Sequence, residues 1–316
     1  MFIEELKVNN HITSAVYQLR NASFREGEGV NGYYLMRLGD KTGQIDAIWL
    51  NTPNIKLKVG DFVIVDGKVQ NYQGRLQLKL SACKKIDAES VNQTDFALYA
   101  VDKKKLKLKL ENYIESIQIK PLYTVIKKIL LEDLYDEFSN APAATFNHHS
   151  YMGGLLEHSI CVTDICNCFA EVYEDIDRDI LIAGALIHDI GKIYEFDFNE
   201  SISYSTRGNL MGHIYMGAHK FQQYTAAMDG FPEYIENSIT HILLSHHGSL
   251  ERGSPIEPCT MEAILVHKAD TADADANAFK LSKMESAGGN WLISRTLNRM
   301  IYIEQTPNFE KRKTNE

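Results

Sequence analysis

The period of the hydrophobic pattern changes near Ile86, and a chain that does this must combine two unlike architectures. Before the change, short runs rich in Val, Ile, Leu and aromatic residues alternate with polar ones at residues 15–19, 33–38, 44–50, 62–69 and 76–80. Turn-forming sequences separate them: GDKTG over 39–43, Gly60-Asp61, and NYQG over 71–74. Five short strands of this kind close most readily into a small barrel. After the change, a lysine-leucine run over 103–110 gives way to amphipathic helical text at 113–119 and 122–138. From Pro121 onward helices follow one another without strand alternation.

A length of 316 residues with 44% hydrophobic content suits two ordinary domains better than one. The net charge of −9 divides unevenly: residues 1–85 hold 12 Lys and Arg against 8 Asp and Glu, a balance of +4, and the remainder carries −13. A basic front suits a polyanion and an acidic back suits cations, although acidic solvated helices would give the same balance. The lysine run could likewise touch phosphates, but a solvated helix face is its commoner meaning. Cys83, Cys161, Cys166, Cys168 and Cys259 form an odd set without CxxC spacing, which supports neither a disulfide framework nor a zinc ribbon and fits a reducing cytoplasm. No stretch approaches the roughly 18 apolar residues of a membrane helix, so no membrane partner is expected.

The chemistry lies in an ordered series of histidines and aspartates. It begins with GGLLEH ending at His158, continues with HDIGK at 188–192, then His213, the pair His246-His247, and KAD ending at Asp270. Adjacent His and Asp at the end of an apolar helix can both reach one cation while the carboxylate bridges to a second. Imidazole and carboxylate together suit Mn, Fe, Zn or Ni better than Ca. Left without a cation, so many buried polar groups would each need another partner, at about 1–3 kcal/mol per unsatisfied group.

The pattern His158, His188-Asp189 and Asp270 resembles the HD superfamily of metal-dependent phosphohydrolases, and the additional His213 and His246 resemble its two-metal phosphodiesterase branch. With the five-run barrel in front, whose order and spacing resemble an OB-fold, and HHSYMGGLLEH over 148–158, the chain resembles the YhaM-type 3′-to-5′ exoribonucleases over essentially its whole length. The fold this implies is multi-domain α+β. A five-stranded OB-fold β-barrel would occupy residues 1–88, a helical connector 89–120, an all-α HD domain 121–310 and a tail 311–316.

Carried onto these residues, the resemblance implies a first divalent ion held by His158, His188, Asp189 and Asp270. Asp189 would bridge to a second ion held by His213 and His246; only one of His246 and His247 need ligate, and His246 is favoured. Mn2+ is the expected metal, with Fe, Co, Ni and Zn suited by the same ligands. The implied activity is hydrolysis of phosphodiester bonds in single-stranded RNA by a metal-activated water acting at the 3′ end; whether single-stranded DNA is cut as well is left open by the sequence. Lys192 would neutralise charge on the phosphate, and His149 or its neighbour His148 would contact the phosphate or protonate the leaving oxygen. His267 reads as a supporting or core residue, and Asp273 and Asp275 as supporting hydrogen-bond partners or solvated carboxylates.

Single-strand binding by the barrel needs stacking aromatics and cations along the phosphate path. Tyr34, Trp49 and Tyr72 are the aromatic candidates, Tyr72 first because it stands at a hairpin tip; Arg37, Lys68, Arg75 and Lys79 supply charge. Two other functions remain open. One is an HD-type nucleotide phosphohydrolase or cyclic-dinucleotide phosphodiesterase, and the other is a non-catalytic, metal-stabilised RNA-binding protein. The resemblance also allows a homo-oligomer.

Overall fold

A computed structural model describes residues 1–26, 31–58, 60–92, 95–96, 102–144, 152–197, 203–284, 290–294 and 296–303. His148, His149 and the tail 311–316 lie outside these residues. The chain divides into two compact units, Met1–Leu98 with Ala278–Glu316, and Tyr99–Asn277.

The first unit is built on a closed five-stranded barrel of β1 (His11–Glu26), β2 (Gly32–Asp40), β3 (Gly43–Thr52), β4 (Phe62–Tyr72) and β5 (Arg75–Ile86), in the order β1-β2-β3-β5-β4. Closure depends on β1, which pairs with β4 through its first half and with β2 through its second. Irregularities at Ile12/Ala15 and Leu19/Asn21 bend it between the two partners. Strand β3 meets β5 in parallel, and the other pairs are antiparallel. This is the five-stranded Greek-key closure expected of an OB-fold.

Alternation fills the barrel: Tyr17, Leu19, Tyr34, Met36, Leu38, Ile45, Ala47, Val63, Val65, Val69, Leu78 and Leu80 make its core. The GDKTG sequence turns β2 into β3 around the buried Asp40. Its carboxylate accepts from Thr42 N at 2.7 Å, Thr42 Oγ1 at 2.6 Å and Ile3 N at 2.7 Å. Between β4 and β5, Gln73 and Gly74 both take positive φ (53° and 82°), the conformation a two-residue hairpin turn requires.

A short hairpin, β8 (Trp291–Ser294) and β9 (Arg299–Tyr302), completes this unit. Leu292 lies 3.5 Å from where a Cβ on Gly74 would stand, and the Arg75 guanidinium donates to the carbonyl of Ile293. The unit boundaries thus differ from the 121–310 span expected for the helical domain. At four residues each, the two strands are too short to announce themselves by periodicity.

The second unit is helical: α1 (Lys103–Glu115), α2 (Lys120–Lys127), a π-helical turn Lys128–Asp133, α3 (Tyr135–Asn140), α4 (Gly154–Val172), α5 (Arg178–Ile187), α6 (Lys192–Glu195), α7 (Thr206–Ala226), α8 (Glu233–Ser245) and α9 (Met261–Met284), which runs on past Asn277. Two-residue strands β6 (Phe196–Asp197) and β7 (Ser203–Tyr204) lie between α6 and α7. Helix α5 is the axis, buried from Asp179 to Ile187. Asp177 caps it by accepting from Asp179 N and Ile180 N, both at 3.1 Å. Gly184 lets α8 approach, since a Cβ there would stand 2.5 Å from Ile242 Cδ1.

The lysines of the run are distributed around α1. Lys103 bonds Asn140 at 2.6 Å, Lys109 bonds Asp164 at 2.6 Å, and Lys107 stands 4.7 Å above the Tyr135 ring. Leu110 and Ile114 enter the helical core. None of the described helices is long and apolar enough to cross a membrane.

One barrel glycine tests the closure. A Cβ on Gly67 would stand 2.5 Å from the Lys79 carbonyl oxygen, where β4 shifts register against β5. Gly67→Ala is expected to lower stability by about 1–3 kcal/mol in a urea titration. An unchanged midpoint would show that the register there is not under steric constraint.

Candidate metal centre

The seven histidines and aspartates of the series come from five helices of the second unit. His158 sits in α4, His188 and Asp189 follow the last turn of α5, His213 lies in α7, His246 and His247 follow α8, and Asp270 lies in α9. Two backbone devices bring them together. Gly191 passes so close to α7 that a Cβ would overlap the His213 carbonyl oxygen. Gly212, at φ 71° and ψ 155°, breaks α7 one residue before His213.

The five ring Nδ1 atoms all point away from the centre and are all anchored. His158 Nδ1 meets Asp273 Oδ2 at 2.7 Å and His213 Nδ1 meets Glu195 Oε1 at 3.0 Å. His188, His246 and His247 use backbone carbonyls: Ala185 O at 2.8 Å, Leu243 O at 2.8 Å and Arg252 O at 2.9 Å. A carbonyl only accepts, so these three rings carry their proton on Nδ1 and, when neutral, present a bare lone pair at Nε2.

Those Nε2 atoms converge on Asp189, whose two oxygens face different sets. Oδ2 lies 3.4 Å from His158 Nε2 and 3.4 Å from His188 Nε2, and His158 Nε2 is 3.2 Å from Asp270 Oδ1. Oδ1 lies 3.5 Å from His213 Nε2 and 3.5 Å from His246 Nε2, and His213 Nε2 is 3.3 Å from His247 Nε2. The ligand atoms of His158, His188 and Asp270 lie within 4.8 Å of one another, as do those of His213, His246 and His247. Asp189 stands between two candidate cation sites.

The electrostatics differ across the centre: beside His246 and His247 they favour a cation over a proton, whereas Asp189, Asp270 and Asp273 raise the pKa of His158 well above its ordinary value against the effect of burial. Burial opposes ionisation of Asp189, yet Lys192, His188 and His158 hold its pKa well below the usual carboxylate range. Burial pushes His246 down, and burial together with His246 pushes His247 down to about 4. These two rings are therefore neutral near pH 7, with their lone pairs aimed inward. Asp189 Oδ1 and His246 Nε2 are buried without a hydrogen bond, a cost of about 1–3 kcal/mol each that a cation would relieve. Imidazole nitrogens with carboxylate oxygens form a donor set for a divalent transition metal. The residues present fit such an ion.

Comparison with known proteins agrees. The HD domain model matches residues 155–275, which implies divalent-metal binding. A 3′-5′ exoribonuclease YhaM of Bacillus subtilis (strain 168) is 33% identical over 262 residues, 81% of this chain and 83% of that protein. The 3′-5′ exoribonuclease YhaM of Shouchella clausii (strain KSM-K16) is 32% identical over 314 residues, 91% of this chain and 96% of its own. The chain belongs to the YhaM family. Among solved structures, the second OB-fold domain of replication protein A from Methanococcus maripaludis aligns at 24% identity over 28% of this chain and 94% of its own, with a TM-score of 0.24.

In this YhaM-family chain the structure brings together His158, His188, Asp189, His213, His246 and Asp270. It adds His247, whose Nε2 faces the same point as that of His246. Adjacent histidines can do this because Gly248, at φ 85°, turns the chain directly after them. His267 fixes that turn by meeting His246 O at 2.8 Å, in the space a side chain on Gly248 would take. Lys192 is buried and donates to Asp189 Oδ2 at 2.6 Å. His149 lies outside the described residues.

Glu195 is the residue that sequence reasoning missed. Its position six residues after Asp189 carries no signal by itself, because its partnership with His213 depends on the break at Gly212.

On the barrel, Tyr34 is only 2% exposed, packs on the inner face with Met36 and Leu38, and donates to Asn54 at 2.6 Å. The half-buried Trp49 stacks on Tyr34 with ring centroids 6.2 Å apart. Arg37 pairs with Asp46 at 2.9 Å, and Arg75 is buried beneath β8. Lys68 is exposed, Tyr72 is 49% exposed, and Lys79 stands beside Lys68 in register.

The close passage at Gly191 gives a test. Gly191→Ala is expected to destabilise the protein by about 1–3 kcal/mol in chemical denaturation, because the new methyl meets backbone that cannot rotate away. Wild-type stability in that variant would show that α7 is free to retreat.

Proposed function

We propose that this protein is a metal-dependent 3′-to-5′ exoribonuclease, acting on single-stranded RNA and also accepting single-stranded DNA. The observation that carries the reading is the division of the buried Asp189 between two sets of imidazole nitrogens, the first buried and the second partly exposed, in a chain of the YhaM family.

One divalent ion would be held by His158, His188, Asp189 and Asp270, and a second by Asp189, His213, His246 and His247, with Mn2+ as the ion expected. When bound, such ions supply Lewis acidity toward a phosphate and lower the pKa of water, which makes phosphodiester hydrolysis feasible near neutral pH.

The protein's own groups do the rest. Asp189 stays ionised although buried, and so keeps an acceptor oxygen toward each side of the centre. Lys192 keeps its charge although buried, because Asp189 raises its pKa against the effect of burial. It places a fixed positive charge beside the carboxylate, where negative charge develops on the phosphate. The anchored Nδ1 atoms hold each ring still, so the site needs no reorganisation to meet substrate. On the barrel, Tyr72 offers a free ring to a base, and Lys68 and Lys79 offer charge to phosphates. With a balance of +4 over residues 1–85, this binding would be weak, salt-sensitive and tolerant of sequence. Five free cysteines suit a reducing cytoplasm.

The test is digestion of 5′-labelled single-stranded RNA, and in parallel DNA, with added Mn2+. The wild-type protein should give a ladder shortening from the 3′ end. A chelator should abolish it, and Asp189→Ala should reduce it by more than about 100-fold. Intact RNA with every divalent metal, alongside hydrolysis of mononucleotides or cyclic dinucleotides, would replace this reading with that of a small-nucleotide phosphohydrolase. Binding of RNA without turnover of any substrate would make it a binding protein.

A further inference from the structure

Two of the five histidines are anchored by carboxylates instead of backbone carbonyls, and they fall one to each candidate cation site. His158 of the first site meets Asp273, and His213 of the second meets Glu195. Asp273 lies three residues after Asp270 on α9, so one helix turn supplies both a ligand and an anchor.

Glu195 is placed differently. It ends the four-residue helix α6, is 6% exposed, and is fixed through its backbone as well: its carbonyl accepts from Ser205 N at 2.9 Å, and Gly208 packs against it where any Cβ would collide. Its Oε1 accepts from two atoms of one residue, His213 N at 3.1 Å and His213 Nδ1 at 3.0 Å. The first of these exists because the break at Gly212 takes His213 N out of the regular helical ladder. One carboxylate therefore caps the restarted helix and sets the proton and direction of the imidazole it presents.

We propose that Glu195 is a positioning residue for the second cation site, holding His213 with its proton on Nδ1 and its Nε2 toward Asp189 Oδ1, as Asp273 holds His158 for the first site. The proposal rests on the two-cation reading. It assigns the two carboxylates separable tasks. Loss of Glu195 weakens one site and loss of Asp273 weakens the other.

Calorimetric titration of the metal-stripped full-length protein with Mn2+, with bound metal counted by mass spectrometry, tests it. Wild type should bind two ions. Glu195→Ala should weaken one of the two dissociation constants by about 10–100-fold and leave the other within about twofold. Glu195→Gln, which keeps an acceptor of the same shape, should weaken the same site less, and Asp273→Asn should weaken the other site. RNA hydrolysis by the Glu195 variants should recover as Mn2+ is raised, which a general loss of structure would not allow.

Two ions bound by Glu195→Ala with wild-type constants would overturn the proposal. If that variant does not fold, wild-type constants in Glu195→Gln would overturn it instead. A single ion in the wild type would overturn the two-cation reading itself, whatever the variants do.

Discussion

The centre depends on one buried carboxylate being shared. Asp189 turns Oδ2 toward His158 and His188 and Oδ1 toward His213 and His246, and every element around it serves that division. Helix α5 is buried along its length, so its last turn can deliver His188 and Asp189 to the interior. Gly191 then lets the chain pass α7 without a side chain between them, and Gly212 breaks α7 where His213 must face inward. Without a cation the arrangement is unfavourable, since lone pairs of neutral imidazoles and a carboxylate oxygen meet with no donor between them. A bound cation would relieve that cost, and stability would then rise with occupancy.

Around the ligands runs a second layer that leaves little freedom. Backbone carbonyls at helix ends anchor three rings, and carboxylates anchor two. The carbonyl anchors cost the fold little, because the last carbonyls of a helix need partners in any case. Carboxylate anchors cost more to bury, and their presence at one histidine of each site marks where orientation and ligand basicity are set by charge.

Much of this was legible from sequence, for physical reasons that also mark where legibility ended. The strand runs and their turns follow from period-two alternation and turn chemistry, and the barrel is where they led. The length of β1 was not visible, because its irregularities interrupt the alternation that announces a strand. The same holds for the inward face of Tyr34: an aromatic in a strand reads alike on either face until the register is known. The His and Asp series was readable because few other sequences need those residues in that order. That His247 also faces the centre depends on the turn at Gly248, and the partnership of Glu195 with His213 depends on the break at Gly212. Both are backbone events that a glycine permits but does not announce.

The account stands or falls on two cations flanking Asp189. A crystal structure of the protein grown with Mn2+, with an anomalous difference map, measures this directly. The account predicts two peaks, one among His158, His188 and Asp270 and the other among His213, His246 and His247, with Asp189 between them. A single peak, or two peaks that leave either histidine group empty, would contradict it.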